Sequence, residues 1–197
     1  MKSIIFNISE ILPHLFLSGF GCALEKNLHQ LGITHVVDAS NMIRNVEYKG
    51  IKYMYVKIYD SEDSDILQYI DGVIEFIEEA RKSGGKTLVY CAAGVSRSAT
   101  LCIMYVMKNK KISLKESFLE VSRKRPIISP NIGFWKQMID YEFKEYGKKS
   151  VNLIRDRGIL LPDVYFTAAK VQSKGLTLLE DDQQQSNTVT TSNNSTV

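Results

Sequence analysis

The sequence has few cysteines, few histidines and no long apolar run, and each shortage excludes a class of protein. Its three cysteines are too few and too irregularly spaced for a disulfide framework, so we expect reduced thiols. With only three histidines and no Cys-x-x-Cys pair, a zinc site is not expected. No stretch approaches the ~20 apolar residues of a membrane span, so membrane insertion is not expected either.

The charge balance also excludes some partners. A net charge of +3 over 197 residues is too weak a bias to indicate a nucleic acid or an anionic membrane surface as a partner.

The start of the chain does not resemble a signal peptide. Asn7, Ser9 and Glu10 interrupt the apolar start, and no small-residue cleavage site follows, so no signal peptide is expected. We therefore expect a cytoplasmic or nuclear protein.

Apolar periodicity predicts strands that alternate with helices. The predicted strands are residues 11–17, 33–38, 51–58 and 87–90. The predicted helices are residues 24–31, 66–82, 97–107, 113–124 and 132–146. This order indicates an α/β fold with a small, mostly parallel central sheet flanked by helices.

One loop combines several groups that suit phosphate chemistry. It runs from Cys91 to Arg97, between a predicted buried strand and a predicted apolar helix. A loop that enters a helix N-terminus directs backbone N–H groups and the positive end of the helix dipole into one concavity. Its interior residues are Ala92, Ala93, Gly94, Val95 and Ser96. Gly94 allows a tight turn, and the planar guanidinium of Arg97 can bind two phosphate oxygens at once.

The same surroundings suit Cys91 as a nucleophile. Helix dipole and guanidinium both favour the thiolate, which is the reactive form of cysteine. The hydroxyl of Ser98 can donate a hydrogen bond to the sulfur and help it leave a phospho-cysteine intermediate. Cys22 and Cys102 lack such a context, so we interpret them as small buried hydrophobic residues.

The loop and several other segments resemble a known family. Residues 91–98 have the pattern Cys-x5-Arg-Ser. This pattern matches the signature of the cysteine-based protein phosphatases, and its interior is the version typical of dual specificity phosphatases. Residues 125–131 (Arg-Pro-Ile-Ile-Ser-Pro-Asn), 133–135, 141–143 and 161–165 resemble its small atypical subgroup, which includes members 14, 18 and 21. The likeness covers about residues 8–165.

The resemblance implies an activity, a set of partners and a domain organisation. It implies hydrolysis of phosphotyrosine and of phosphoserine or phosphothreonine, with no metal and no cofactor. The expected partners are phosphorylated proteins, with signalling kinases among them. It also implies a catalytic domain at residues 8–148 and a C-terminal extension at 149–170 that packs on this domain. Residues 171–197, rich in Gln, Ser, Thr and Asn, are predicted to be a disordered tail.

A phosphatase of this kind needs a general acid for the leaving oxygen. The acidic loop at residues 60–65 supplies the carboxylates. Asp60 comes two residues after Ile58, the last residue of the predicted strand 51–58, and the family has its acid on the loop after this strand. We expect Asp63 and Asp65 to cap the next helix instead. Asn131 either orients the phosphate loop, as in relatives, or starts a helix, and the sequence does not decide between these roles.

Tyr90 departs from the family pattern, which has histidine before the catalytic cysteine. A phenol keeps one donor but does not become cationic near neutral pH. We therefore expect weaker support for the Cys91 thiolate and a slower first step. The alternative is a catalytically weak module that binds phosphoproteins without turnover. An inositol lipid, glycan or RNA substrate is less favoured, because the loop interior carries no second cation.

Overall fold

The computed structural model describes residues 7–42 and 47–166. The first five strands are β1 (Ser9–Leu12), β2 (Leu15–Gly19), β3 (His35–Asp38), β4 (Lys52–Tyr55) and β5 (Thr87–Cys91). The helices are α1 (Glu25–Leu31), α2 (Ile70–Lys82), α3 (Arg97–Lys110), α4 (Leu114–Lys124) and α5 (Ile132–Tyr146). These elements belong to one compact unit that ends at Val151.

The five strands form one sheet in the order β1-β2-β5-β3-β4. Pairing is parallel between β2 and β5, between β5 and β3, and between β3 and β4, whereas β1 and β2 are antiparallel. The predicted α/β class, with a small and mostly parallel sheet, is therefore confirmed.

The prediction of one continuous strand over residues 11–17 is wrong. The segment is a hairpin, in which β1 and β2 are joined by a turn at Pro13 and His14. Proline has no N–H to donate to a strand partner, so the chain turns there although apolar residues continue on both sides.

Helices pack on both faces of the sheet. Leu28 of α1 lies in a cluster with Phe16, Val36, Leu88 and Tyr90 from three neighbouring strands. On the opposite face α3 contacts β2 and β5, and it also contacts α2 and α4. Residues Arg97 to Met107 of α3 are all buried, which explains why that helix is apolar on every side.

The parallel strands bring three chain segments to one edge of the sheet. Cys91 pairs with Gly19 at the end of β2, and its predecessor Tyr90 pairs with Asp38 at the end of β3. The carboxyl ends of β2, β3 and β5 therefore meet where the predicted phosphate loop begins, and open α/β sheets bind ligands at such an edge.

A hydrogen-bonded group connects α2 with α3 at a distance from this edge. Tyr105 is fully buried, and its hydroxyl donates to Glu78 Oε1 at 2.5 Å. Hydrogen bonds from Arg81 and Tyr105 hold the pKa of Glu78 down at about 2. Tyr105 thus provides a buried phenol whose role is structural.

A second compact unit begins at Asn152. It contains an antiparallel hairpin of β6 (Leu153–Asp156) and β7 (Ile159–Pro162). Arg157 and Gly158 in its turn both have positive φ, the geometry of a tight two-residue hairpin. The predicted tail at 171–197, and residues 167–170 of the predicted extension, lie outside the described residues.

The helices of the described ranges are each too short or too polar to cross a bilayer.

Candidate active site

The loop from Cys91 to Arg97 joins the end of β5 to the start of α3. Gly94 has φ +70, and a Cβ there would lie 2.5 Å from the carbonyl carbon of Ser18 on β2. Only glycine suits this combination of positive φ and close backbone approach. The first turn of α3 follows at once, with Thr100 N donating to Ser96 O at 2.8 Å. The sequence therefore folds into a tight loop at a helix N-terminus, as predicted.

Two donors point at the sulfur of Cys91. Ser98 Oγ donates to Cys91 Sγ at 3.1 Å, and the backbone N–H of Gly94 donates at 3.3 Å. Cys91 is buried at the base of the loop, whereas Ala92 and Ala93 beside it are exposed. Hydrogen bonds of this kind stabilise the thiolate form of a cysteine.

Backbone carbonyls position the guanidinium of Arg97. Its Nη1 donates to Ser40 O at 2.9 Å and to Ile58 O at 3.4 Å, and the side chain is nearly buried. Its Nε is buried as well and donates to no group of the described residues. A buried donor without a partner is costly, so Arg97 retains capacity to bind an anion.

Asp60 lies beside Arg97 and is oriented by two side chains. Its Oδ1 accepts from Ser96 Oγ at 2.7 Å and from Asn131 Nδ2 at 2.8 Å. Its Oδ2 lies 3.8 Å from Arg97 Nε. Oδ1 is thus occupied by two donors, and Oδ2 is the oxygen that faces the guanidinium.

Helix α5 supports the loop that carries Asp60. A Cβ on Gly133 would lie 2.0 Å from Glu62 O, so the absence of a side chain there lets loop and helix touch. The side chain of Gln137 accepts from Ile66 N at 2.9 Å and donates to Ser64 O at 2.8 Å. These contacts fix the loop relative to α5.

Asn131 starts a helix, one of the two roles that the sequence left open, and its side chain also contacts Asp60. Its Oδ1 accepts from Phe134 N at 2.9 Å, which caps α5, while its Nδ2 donates to Asp60.

Of the two predicted helix caps, Asp65 accepts from Leu67 N at 3.0 Å. Asp65 thus forms a turn with its own backbone ahead of the short 3-10 helix. The prediction that Asp63 and Asp65 cap the next helix is wrong, because α2 begins after Tyr69 and has no side-chain cap.

Arg125 was not predicted to be part of the site. The charges of the basic run 123–125 favour a solvated helix end, but Arg125 is fully buried. It donates to the carbonyls of Gly94 at 2.7 Å and Ala93 at 3.2 Å, beneath the phosphate loop. Burial lowers the pKa of Arg125 below its usual value.

The sequence did contain a signal for this burial. Leu114, Phe118 and Val121 are buried along one face of α4, and the spacing of four and three residues continues to Arg125. Arg125 is the C-cap of this helix and therefore lies on the extension of its inward face. The charge of Arg125 favours solvent, but its helical position directs it inward, and the structure shows that the position decides its burial.

Tyr90 lies in the core, where its fully buried ring packs edge-on against Phe20. Its hydroxyl donates to Asp38 Oδ2 at 2.5 Å. Because successive residues of a strand point to opposite faces of a sheet, Tyr90 faces α1 and Cys91 faces α3. Cys22 and Cys102 are buried, as predicted.

The arrangement suits a nucleophilic attack on a phosphoryl group. It unites a hydrogen-bonded sulfur, a tight anion loop, a guanidinium and a carboxyl oxygen. No cluster of three or more His, Cys, Asp or Glu side chains suitable for a metal is present in residues 7–42 and 47–166.

Comparison with known proteins gives consistent matches. The model of the dual specificity phosphatase catalytic domain matches residues 15–144. Dual specificity protein phosphatase 14 of Mus musculus is 43% identical over 162 residues, which cover 82% of this chain and 82% of that protein. Dual specificity protein phosphatase 21 of Homo sapiens is 40% identical over 162 residues, with coverage of 82% and 85%.

A solved structure extends the similarity to the fold. The human tyrosine phosphatase-like serine/threonine/tyrosine-interacting protein superposes with a TM-score of 0.66 at 32% identity. The superposition covers 70% of this chain and 97% of that protein. Together with the sequence matches, this likeness confirms the resemblance that the loop and the segment 125–131 indicated.

Proposed function

The chain belongs to the dual specificity phosphatase family, and we propose that this protein phosphatase hydrolyses its substrates through a phospho-cysteine intermediate. The observation that carries the proposal is the convergence of Ser98 Oγ and Gly94 N on Cys91 Sγ, at 3.1 and 3.3 Å. The amide-lined loop and Arg97 complete a site that suits a phosphoryl group.

In the first step the thiolate of Cys91 attacks phosphorus. A sulfur–phosphorus bond forms while the ester oxygen–phosphorus bond breaks, and Oδ2 of protonated Asp60 gives its proton to the leaving oxygen. Arg97 and the loop amides stabilise the negative charge on the three equatorial oxygens.

In the second step water attacks the same phosphorus. Asp60, now ionised, accepts a proton from the water, the sulfur–phosphorus bond breaks, and inorganic phosphate leaves. The thiolate is regenerated, with the hydrogen bond from Ser98 stabilising its charge. Side chains of this chain and backbone dipoles supply every group that the two steps use.

The expected substrates are singly phosphorylated side chains, both phosphotyrosine and phosphoserine or phosphothreonine. Apart from Arg97, the loop carries only Ala92, Ala93, Gly94, Val95 and Ser96 as its interior. A substrate with several phosphates would gain from a second cation in this loop. Signalling kinases are the partners that we propose among the phosphorylated proteins.

The proposal is tested by mixing the full chain with a small aryl phosphate, denaturing it rapidly and measuring its mass. We expect a transient chain that is heavier by one phosphoryl group, located on Cys91 by peptide mapping. A chain that binds phosphopeptides but releases no phosphate would support the binding module instead. The likeness to a phosphatase-like interacting protein and Tyr90 in place of histidine are the observations that favour this second candidate.

Replacing Asp60 with asparagine should reveal the proton transfer. For phenyl phosphate, whose leaving group needs protonation, we expect kcat/KM, which reports the first step alone, to fall by about 10²- to 10³-fold. For an activated ester such as p-nitrophenyl phosphate the fall should be clearly smaller, because its leaving group departs more easily as an anion. Steady-state kinetics with a series of aryl phosphates measures this difference.

Asp63→Asn is the matched control, since Asp63 is an exposed carboxylate on the same acidic loop. It should leave kcat/KM unchanged for every ester. An Asp60→Asn variant that lost the same factor with all leaving groups would contradict the general-acid role.

We also propose that the first step is slower with Tyr90 than it would be with histidine at this position. The rate of Cys91 alkylation as a function of pH, compared between the wild type and Tyr90→His, measures how far each residue favours the thiolate. Identical profiles would remove this part of the proposal.

The domain bounds remain a proposal as well: a catalytic domain at residues 8–148 and an extension at 149–170. Limited proteolysis of the full chain locates these boundaries, with stable fragments that end near residues 148 and 170 as the expected result.

A further inference from the structure

A continuous series of hydrogen bonds leads from Tyr90 to the guanidinium of Arg97. Tyr90 OH donates to Asp38 Oδ2 at 2.5 Å, and Asp38 Oδ1 accepts from Ser40 N at 2.8 Å. The carbonyl of Ser40 then accepts from Arg97 Nη1 at 2.9 Å. We name Tyr90, Asp38 and Ser40 the β3 brace.

Every member of the brace is shielded from water. Tyr90 is 0%, Asp38 3% and Ser40 5% exposed, and Arg97 itself is only 8% exposed. Hydrogen bonds between buried groups resist exchange with water, and a buried carboxylate is especially costly when one of its donors is removed. The geometry of each link therefore constrains the next.

The brace fixes a short turn at the end of β3. Asp38 bonds the backbone two residues ahead of it, and Ala39 N donates to Tyr90 O at 2.8 Å. A side chain that bonds its own backbone two residues on defines a rigid turn. The direction of the Ser40 carbonyl, which receives the shorter of the two bonds from Arg97, follows from that turn.

We propose that Asp38 and Tyr90 are positioning residues that act through Ser40 to set the guanidinium of Arg97 for phosphate binding. The inference rests on the proposed function of Arg97 as the phosphate-binding group. It assigns Tyr90 a contribution that does not pass through the sulfur, because Tyr90 and Cys91 face opposite sides of the sheet.

Three full-length variants test the brace: Tyr90→Phe, Asp38→Asn and the double variant. Both single changes preserve shape. Tyr90→Phe removes the donor of the first link, whereas Asp38→Asn removes the negative charge and leaves one oxygen in place of the two that accept from Tyr90 OH and Ser40 N, so the test does not depend on the folding of a single variant. Two quantities are measured: the affinity for inorganic phosphate by titration calorimetry, and the inhibition constant of phosphate against aryl phosphate turnover.

Tyr105→Phe is the matched control, because Tyr105 is also a fully buried phenol that donates to a carboxylate at 2.5 Å. Its partner Glu78 lies on α2 and has no part in the brace. Thermal unfolding of all variants shows which of them lose stability alone.

We expect each single brace variant to bind phosphate about five- to tenfold more weakly, while Tyr105→Phe binds it like the wild type. The double variant should lose little more than either single variant, because groups in one network do not act additively. The proposed role of the brace is wrong if Tyr90→Phe and Asp38→Asn bind phosphate as tightly as Tyr105→Phe does. It is also wrong if the losses of phosphate affinity in the two single variants add fully in the double variant.

The two readouts separate this inference from the proposed function. If the wild type binds phosphate but turns over no substrate, the phospho-cysteine mechanism is contradicted, and the role of the brace is judged by phosphate affinity alone. If the wild type turns over substrate but the variants keep its phosphate affinity, only the role of the brace is contradicted. A wild type that neither binds phosphate nor turns over aryl phosphate removes both.

Discussion

Replacing Cys91 with serine should lower turnover of an aryl phosphate by about 10⁴-fold or more, as loss of a catalytic nucleophile does elsewhere. A serine hydroxyl stays protonated near neutral pH, and in the first step Asp60 carries a proton and does not act as a base. Ser98 and Gly94, which donate to the sulfur, would donate to an oxygen that is neither charged nor a good leaving group. Both steps of the reaction would therefore fail together.

The same variant should still bind phosphopeptides, because Arg97 and the loop amides are unchanged. Affinity capture with Cys91→Ser from cell extracts, followed by phosphopeptide identification, reports the substrates and shows whether signalling kinases are among them. Cys22→Ala is the control, since Cys22 is a buried cysteine outside the loop, and it should turn over substrate like the wild type. Residual activity of Cys91→Ser within about tenfold of the wild type would contradict the assignment of the nucleophile.

The sequence was sufficient to predict those parts of the site that are contiguous in the chain. The loop 91–97 carries its own glycine and arginine and enters the helix that strengthens it, so local order nearly determines local geometry. The position of Asp60 was predictable by a similar argument. Asp60 lies on the loop that follows β4, and the carboxyl ends of the parallel strands meet at the edge of the sheet where the phosphate loop begins.

The contacts that join distant segments were not predictable in this way. Arg125 reaches Gly94 from 31 positions away, and Tyr90 reaches Asp38 across 52 positions. Both pairings depend on tertiary contacts, those of α4 with α3 and of β3 with β5, which periodicity within one element does not specify. Hydrophobic patterning finds the buried face of an element but not which polar group on that face will find a partner.

The hairpin at the start of the chain shows the same limit at shorter range. Apolar residues continue from Ile11 to Leu17, so the pattern favoured one strand, whereas Pro13 removes a backbone donor in its middle. The turn also lets β2 pair in parallel with β5, which brings Ser18 and Gly19 against Gly94. Without this turn, the apolar pattern does not predict that Ser18 and Gly19 form one wall of the phosphate loop.

Replacing Arg97 with lysine should reduce kcat/KM by about 10³-fold, although the charge is conserved. Lysine is a point charge without a planar fork, so it does not donate to two phosphate oxygens and to the carbonyls of Ser40 and Ile58 together. The affinity for inorganic phosphate should fall with the rate, since the guanidinium contacts phosphate in the ground state and in the transition state alike.

Arg123→Lys is the matched control, because Arg123 is exposed near the end of α4. It should change neither kcat/KM nor phosphate affinity. If Arg97→Lys kept its activity within about tenfold of the wild type, charge alone would suffice in this loop. The bidentate contact would then be unnecessary, and the β3 brace, which orients a fork, would lose the group that it orients.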